Sequence, residues 1–253
     1  MMSAERKIKI IEYVKKHRTA SVTELSQQFN VHETTIRRDL IQIEKEGLLK
    51  RTHGGIMLAE DRISEPPFHE RENENMNEKI RIGKYAASTI YDGEHIILDS
   101  GTTTLQIAKH LGEYKNLTVI TNDINIAMVL SKKKGIKVIV SGGTLYQDSY
   151  FLNGIITNYA LHSFQVDKSF IATPAIHVNI GLSHFDEVPV SAKVHMIEAA
   201  KRVIVLTDHA KIGQTCLYKV SSIDMINEMI TGIECNEYET EQYTKIGLKV
   251  TRV

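Results

Sequence analysis

Seven apolar runs of strand type punctuate the larger part of this chain: HIIL (95–98), LTVI (117–120), KVIV (137–140), KSFI (168–171), RVIVL (202–206) and, more weakly, EMIT (228–231) and LKV (248–250). Between them lie helical patterns near 79–90, 103–112, 123–133, 154–164, 190–200 and 237–245. Strands that are apolar almost throughout need cover on both faces, and strands alternating with helices pair in parallel. Residues 79–253 are therefore expected to form an α/β domain around a mostly parallel sheet. A chain of 253 residues leaves room for a second, smaller domain.

That smaller domain is expected over residues 1–58. Ile8, Ile11 and Val14 repeat at the spacing of one helix face, and Thr19-Ala20 ends the pattern. Ser21-Val22-Thr23-Glu24 then reads as a capping box, in which serine and glutamate satisfy each other's orphan amides. Val22, Leu25 and Phe29 face inward, Asn30-Val31 makes a turn, and a third helix runs from about Glu33 to Gly47 with Ile36, Leu40 and Ile43 buried. LLKRTHGGIM (48–57) suggests a hairpin with Gly54-Gly55 near its turn. Three helices and a hairpin describe a winged helix-turn-helix.

The formal net charge is zero, yet residues 1–58 carry 11 Lys/Arg against 7 Asp/Glu, and residues 59–78 carry 2 against 7. The basic excess lies where the DNA-binding pattern lies. The 59–78 stretch, polar and broken by Pro66-Pro67, reads as an interdomain linker with a helical tail. No apolar run approaches the roughly 20 residues of a membrane span, and MMSAERKIKI turns amphipathic too early for a cleaved signal. Cys216 and Cys235 form no CxxC motif and read as reduced thiols of a cytoplasmic protein.

With Ile36, Leu40 and Ile43 buried, a helical wheel puts Thr34, Arg38, Gln42 and Lys45 on the opposite side of the third helix, flanked by Thr35 and Arg37. The N-terminal part of a recognition helix enters the major groove. There an arginine can hold a guanine edge, and a threonine can meet a thymine methyl or a phosphate. Lys50, Arg51 and His53 in the hairpin are placed for flanking backbone or minor groove. Taken alone, TTIRRDL could be a solvated face with its arginines paired to Glu33 or Asp39. The order of capped helix, turn, helix and basic hairpin favours duplex DNA.

In the larger domain three strand ends run into small, hydroxyl-rich or glycine-rich segments: Asp99-Ser100-Gly101-Thr102-Thr103-Thr104, Thr121-Asn122-Asp123 and Ser141-Gly142-Gly143-Thr144. Open α/β sheets bind ligands beyond the carboxyl ends of their strands, and a glycine-rich entry to a helix offers free amides to an anion. A phosphate cradle is the expectation, with Gly101 allowing close approach and Thr102, Thr103 and Thr104 adding hydroxyls. Each loop by itself could equally be an ordinary turn or cap.

VTELSQQFNVHETTIRRDLIQIEKEGLLKRTHGGIM resembles the DeoR family of bacterial repressors over nearly the whole chain, with DSGTTT, TND, SGGT, VDKSF and GLSHFDEVPVSAKVHMIEAA as further landmarks. The resemblance implies a winged helix followed by a sugar-phosphate-sensing domain with a fold similar to ribose-phosphate isomerases. It implies an effector pocket lined by Asp99, Gly101, Thr102, Thr103, Asn122, Gly142, Gly143 and Lys193, with Lys193 a partner for phosphate or carboxylate; Glu187 is a weaker candidate. Two departures stand out: His32 where the family often has a serine N-cap, and Ile171-Ala172-Thr173-Pro174-Ala175-Ile176 where it usually shows an acidic Gly-Ala-Asp-Gly type of turn.

The expected function is that of a transcriptional repressor of a carbohydrate-metabolism operon, modulated by a phosphorylated sugar and bound to operator DNA as a homodimer or higher homo-oligomer. The alternative is a sugar-phosphate isomerase-like enzyme with a DNA-binding head, for which Asp99, Asp123, Asp186, Glu187 and His184 are acid–base candidates. The missing acidic residue near 173–175 disfavours it. His184 with His195, or Asp208 with His209, makes no convincing ligand set, and Ser100 lacks the GxSxG context, so neither a metal, a cofactor nor nucleophilic hydrolysis is expected.

Overall fold

A computed structural model describes residues 3–17, 19–45, 49–51, 55–58 and 65–253. The chain divides into two compact units, 1–63 and 64–253. His53, Gly47 and Gly54 lie outside the described residues.

The first unit runs α1 (Ser3–His17), β1 (Thr19–Ser21), α2 (Val22–Phe29), α3 (Glu33–Lys45), β2 (Leu49–Arg51) and β3 (Gly55–Leu58). The capping box is present: Ser21 Oγ accepts from Glu24 N at 3.0 Å, and Glu24 Oε2 accepts from Ser21 N at 3.3 Å. Asn30 closes α2 in the left-handed region at φ 49°, which asparagine tolerates better than most residues. Ile36, Leu40 and Ile43 are buried together with Val22 and Leu25, as their spacing requires. The face of α1 differs from expectation. Ile10 and Val14 are fully buried, whereas Ile8 is 59% exposed. The reason lies in Arg6, which is drawn inward to Asp39 on α3 (Nε to Oδ2, 2.6 Å) and rotates α1 so that Ile10 continues its stripe. Thr19-Ala20 not only follows the helix but forms β1, which pairs with β3 and extends the hairpin to a sheet of order β1-β3-β2.

The second unit begins with α4 (Phe68–Asn73), α5 (Met76–Ser88), β4 (His95–Leu98), α6 (Thr102–His110), β5 (Leu117–Thr121), α7 (Ile124–Leu130) and β6 (Ile136–Val140). It continues through β7 (Thr144–Tyr146), β8 (Phe151–Asn153), α8 (Ile155–His162), β9 (Val166–Ala172), β10 (Ala175–His177), β11 (Gly181–His184) and α9 (Val190–Glu198). β12 (Ala200–Leu206), β13 (Tyr218–Ser221), β14 (Glu228–Thr231), α10 (Glu237–Lys245) and β15 (Lys249–Arg252) complete it. All seven apolar runs enter one sheet, ordered β15-β14-β12-β9-β4-β5-β6, and every neighbouring pair is parallel.

Successive residues of each inner strand feed opposite cores. Ile96, Leu98, Val119, Phe170 and Ile204 pack on one face with α5 and α6, and Ile97, Ile120, Ile171, Val203 and Val205 pack on the other with α9. The chain lays down β4, β5 and β6 in one direction, then returns to β9 on the far side of β4 and builds outward through β12, β14 and β15. The reversal falls between β4 and β9. Loops leaving those two strands diverge and open a crevice at their carboxyl ends.

The segment 59–78, expected to be a linker, belongs to the larger unit from residue 65 onward. Phe68 is buried in the core beside Ile82 and Ala86, its N–H donates to Asp148 O at 2.9 Å, and α5 already starts at Met76. Burial of one aromatic ring anchors a stretch whose composition is otherwise that of a linker. The antiparallel sheet β10-β11-β13 and the β7-β8 hairpin had no counterpart in the sequence reading.

Candidate functional site

On α3 the expected DNA-reading side chains differ in availability. Thr34, Arg37 and Arg38 are exposed and Thr35 is half-buried. Arg37 pairs with Glu33 (Nη2 to Oε2, 3.2 Å), and Glu33 is also held by the Thr23 hydroxyl at 2.8 Å. Arg38 has no partner among the described residues, while Gln42 accepts from Lys7 Nζ at 3.0 Å. His32 caps the helix after all. Its Nδ1 accepts from Thr34 N at 3.3 Å and lies 3.0 Å from Thr34 Oγ1, so the ring nitrogen takes the place of a serine oxygen. Lys50 and Arg51 lie on β2; His53, expected beside them, is outside the described residues.

At the β4/β9 reversal the larger unit holds a cleft lined by Asp99, Ser100, Gly101, Thr102 and Thr103 after β4, by Asn122 after β5, and by Ala172, Thr173 and Pro174 at and after the end of β9. Glu65, Arg71, His184, Lys193 and Lys211 bring charge and hydrogen-bonding capacity to its wall. Gly101 stands at the N-cap of α6 and supplies no side-chain cap, so the first amides of that helix are left for another acceptor. Only glycine fits there, because a Cβ would come within 2.5 Å of Ala172 Cβ.

Asp99 and Lys193 are both buried and joined to each other, and Lys193 Nζ also donates to Ala172 O at 2.8 Å. Ala172 N donates to Asp99 Oδ2 at 3.0 Å, which ties the β9 loop to the β4 loop. Burial pushes the Asp99 carboxyl up, against the pull of the Lys193 ammonium. Lys193, expected as an anion partner, is therefore engaged by an internal carboxylate. Asp123 is also buried; it caps α7 through Ile126 N (2.9 Å) and accepts from Ser100 Oγ (2.9 Å), and burial drives it up to about 6 despite those bonds.

Asn122 donates to Leu152 O at 3.1 Å, while its buried Oδ1 has no partner among the described residues. Asn122 lines the cleft, and an unsatisfied acceptor in a lining residue suits a ligand hydroxyl once a ligand draws it out.

Three expected pocket residues fall elsewhere. Thr104 bonds back to Gly101 O at 2.9 Å inside α6. Gly142 and Gly143 lie off the cleft wall: Gly143, at φ 115°, lets the chain pass Thr157 and Asn153 where a Cβ would come within 2.2 Å of the Thr157 hydroxyl oxygen. Their glycines serve backbone conformation and close packing. Asp186 and Glu187 are exposed and outside the cleft. At residues 171–176, where the resemblance implies an acidic turn and this sequence has none, Thr173 is buried and its hydroxyl donates to Ala175 O at 2.8 Å.

Glu65 and Arg71 escaped the sequence reading because they lie in the supposed linker. Two opposite charges flanking Pro66-Pro67 were the available signal. Arg71 Nη1 donates to Glu65 Oε1 at 2.9 Å and its Nε to Pro66 O at 2.8 Å. His184 Nε2 stands 3.6 Å from Glu65 Oε2. Because His184 Nδ1 accepts from Asp186 N at 3.1 Å, the neutral ring carries its proton on Nε2, toward Glu65. Burial alone would raise the Glu65 carboxyl, but His184 beside it and the charges of Arg71 and Lys193 bring it down to about 2.

Among the described residues, Glu78, Asp208 and His209 gather three potential metal-ligand atoms within 4.8 Å. Glu78 already accepts from His209 N (2.8 Å) and Gly232 N (3.2 Å) and faces His209 Nδ1 at 2.7 Å, while Asp208 pairs with Lys211 at 3.1 Å. The cluster is satisfied as a structural tie between α5 and the ends of β12 and β14. Cys216 and Cys235 are free thiols, both raised to about 11 with burial the largest cause. No helix among the described residues is long and apolar enough to cross a membrane.

A capped helix-turn-helix with a winged sheet, followed by an α/β unit with a charged cleft at its switch point, defines a DNA-binding regulator with a ligand-sensing domain. Residues 6–62 match the DeoR-like helix-turn-helix domain and residues 74–232 the DeoR C terminal sensor domain. The chain belongs to the DeoR family of transcriptional regulators. It is 36% identical over 253 residues to the uncharacterized HTH-type transcriptional regulator YulB of Bacillus subtilis (strain 168), covering 100% of this chain and 98% of that one. It is 37% identical over 232 residues to the HTH-type transcriptional repressor GlcR of the same organism, covering 91% and 89%. With the glycerol-3-phosphate regulon repressor of Escherichia coli (strain K12) it shares 32% over 231 residues, 91% of each chain. Among solved structures, the full-length sorbitol operon regulator SorC from Klebsiella pneumoniae aligns over 96% of this chain and 99% of its own at a TM-score of 0.41 and 10% identity, a distant likeness. Membership of a regulator family sets aside the isomerase alternative: the chain is a regulator and not an enzyme.

Proposed function

We propose that this regulator represses a carbohydrate-metabolism operon and that a phosphorylated sugar, bound in the β4/β9 cleft, sets its affinity for operator DNA. The observation that carries this reading is the pairing of two unlike features on one wall. The uncapped α6 N-terminus and the cations Arg71 and Lys211 suit an anionic group, and the orphaned Asn122 Oδ1 suits a hydroxyl. Among relatives, the glycerol-3-phosphate regulon repressor of Escherichia coli (strain K12) and a putative aga operon transcriptional repressor of Escherichia coli O157:H7 support this reading.

Thr34 and Arg38 are proposed as base-reading residues, with Thr35 and Arg37 beside them and Lys50, Arg51 and His53 as backbone partners. One winged helix reads a short site, so we infer a homodimer or larger homo-oligomer on repeated half-sites, acting in the cytoplasm. Sedimentation as a monomer both free and on DNA contradicts the oligomer.

A thermal-shift panel of phosphorylated sugars beside their unphosphorylated parents tests the effector. A ligand at 100 times its Kd adds about 2.7 kcal/mol of stability. Stabilisation by one phosphorylated sugar and not by its parent is expected; an equal response to both removes the phosphate from the reading.

A further inference from the structure

The cleft already contains an anion, and the chain itself supplies it. Arg71 is fixed before any ligand arrives: its Nε is bound to Pro66 O and its guanidinium lies over the Phe68 ring, 5.9 Å from the centroid. Its free edge goes to Glu65 Oε1, and the proton-bearing Nε2 of His184 faces Glu65 Oε2. Lys193 cannot substitute for this pair as an anion seat, because its ammonium is bound to Asp99 and to Ala172 O. The Arg71/His184 corner is thus the best-organised cationic position in the cleft, and a carboxylate fills it.

We propose that Arg71 and His184 form the subsite for the ligand's phosphate monoester, and that Glu65 is an internal stand-in which the phosphate displaces. This rests on the reading of the cleft as a phosphorylated-sugar pocket. A phosphate and the Glu65 carboxylate cannot both use the Arg71 edge, since two like charges about 4 Å apart in a partly buried site repel by several kcal/mol. Occupancy is therefore exclusive. Glu65 is the second residue of the larger unit, and residues 59–64 lie between it and β3 of the DNA-binding unit. Release of Glu65 alters the start of the larger unit, the end that follows the DNA-binding unit in sequence, and a ligand that binds only the released state draws the protein toward it. Glu65 stays ionised throughout the neutral range, so it leaves by competition and not by protonation.

The test is calorimetric titration of the full chain with inorganic phosphate and with glycerol 3-phosphate, comparing the wild type with Glu65→Gln, Glu65→Asp and Arg71→Met. Removing the competitor should tighten phosphate binding about tenfold or more in Glu65→Gln and by a smaller factor in Glu65→Asp, whose carboxylate falls short of Arg71. Arg71→Met should bind at least tenfold more weakly than the wild type. If Glu65→Gln does not fold, Glu65→Asp carries the comparison. Unchanged or weaker phosphate binding in a folded Glu65 variant overturns the displacement while leaving the cleft a phosphate pocket. Failure of all four proteins to bind either probe, together with silence of the wild type across phosphorylated sugars, overturns both readings.

Discussion

Arg37 gives its guanidinium to Glu33, whereas Arg38 has no partner among the described residues and can meet DNA without first breaking a bond. Arg38→Ala should cost about 1–3 kcal/mol of operator affinity if it reads a base. Fluorescence anisotropy on operator and on random duplex separates the roles, because equal losses on both mark a phosphate contact. Arg37→Ala should cost less, because Arg37 must first give up its exposed pair with Glu33 to reach the DNA.

Asp123 provides a second test at this scale. In the folded chain it keeps its proton up to about pH 6, against an ordinary value of 3.8. Between those values the folded state binds more protons, so stability falls as pH rises from about 4 to about 6, by roughly 3 kcal/mol at most. Urea unfolding at pH 4.5 and 6.5 should show this decline in the wild type and a smaller one in Asp123→Asn. Equal slopes would mean that Asp123 titrates normally.

At the scale of elements, pattern carried far where burial alone decides and failed where a charge decides. The seven β-type runs are legible because a strand covered on both faces must be apolar throughout. α1 was misread because Ile8, Ile10, Ile11 and Val14 offer two stripes, and the choice between them is made by the buried Arg6–Asp39 pair, which hydrophobic periodicity does not see. Removing one partner of a buried pair leaves the other without its main counter-charge. Arg6→Met should destabilise the first unit by about 3–5 kcal/mol in chemical denaturation, and a loss below about 1 kcal/mol would make the pair incidental. α4 lies in the segment expected to carry only a helical tail, and its bounds could not be placed because its six residues are too few to show a period; β10, β11 and β13 had no signal because AIH, GLSH and YKVS are short and mixed. At the head of α6, Gly101→Ala should force the β4 and β9 loops apart and cost about 1–3 kcal/mol, as overpacking does. A melting temperature equal to the wild type's would show that the Ala172 contact yields freely.

For the molecule as a whole, the location of the cleft was inferable from strand ends, but its charge was not. Asp99, Ser100, Gly101, Thr102, Thr103 and Asn122 line it as their position after β4 and β5 implies; Gly142 and Gly143, between β6 and β7, resemble a second phosphate loop yet lie outside its lining, with Gly143 packed against Thr157 and Asn153. The charged wall joins Glu65 and Arg71 to His184 and Lys211, more than a hundred residues further on, which the β4/β9 reversal and the docking of Phe68 bring together.

Operator affinity of the full wild-type chain, measured on a duplex the protein itself selects from random DNA, with and without the phosphorylated sugar that stabilises it, tests the coupling most directly. A change of about 5- to 150-fold, the range of ordinary allosteric coupling, is the expected result. Identical affinity with the sugar demonstrably bound would contradict it.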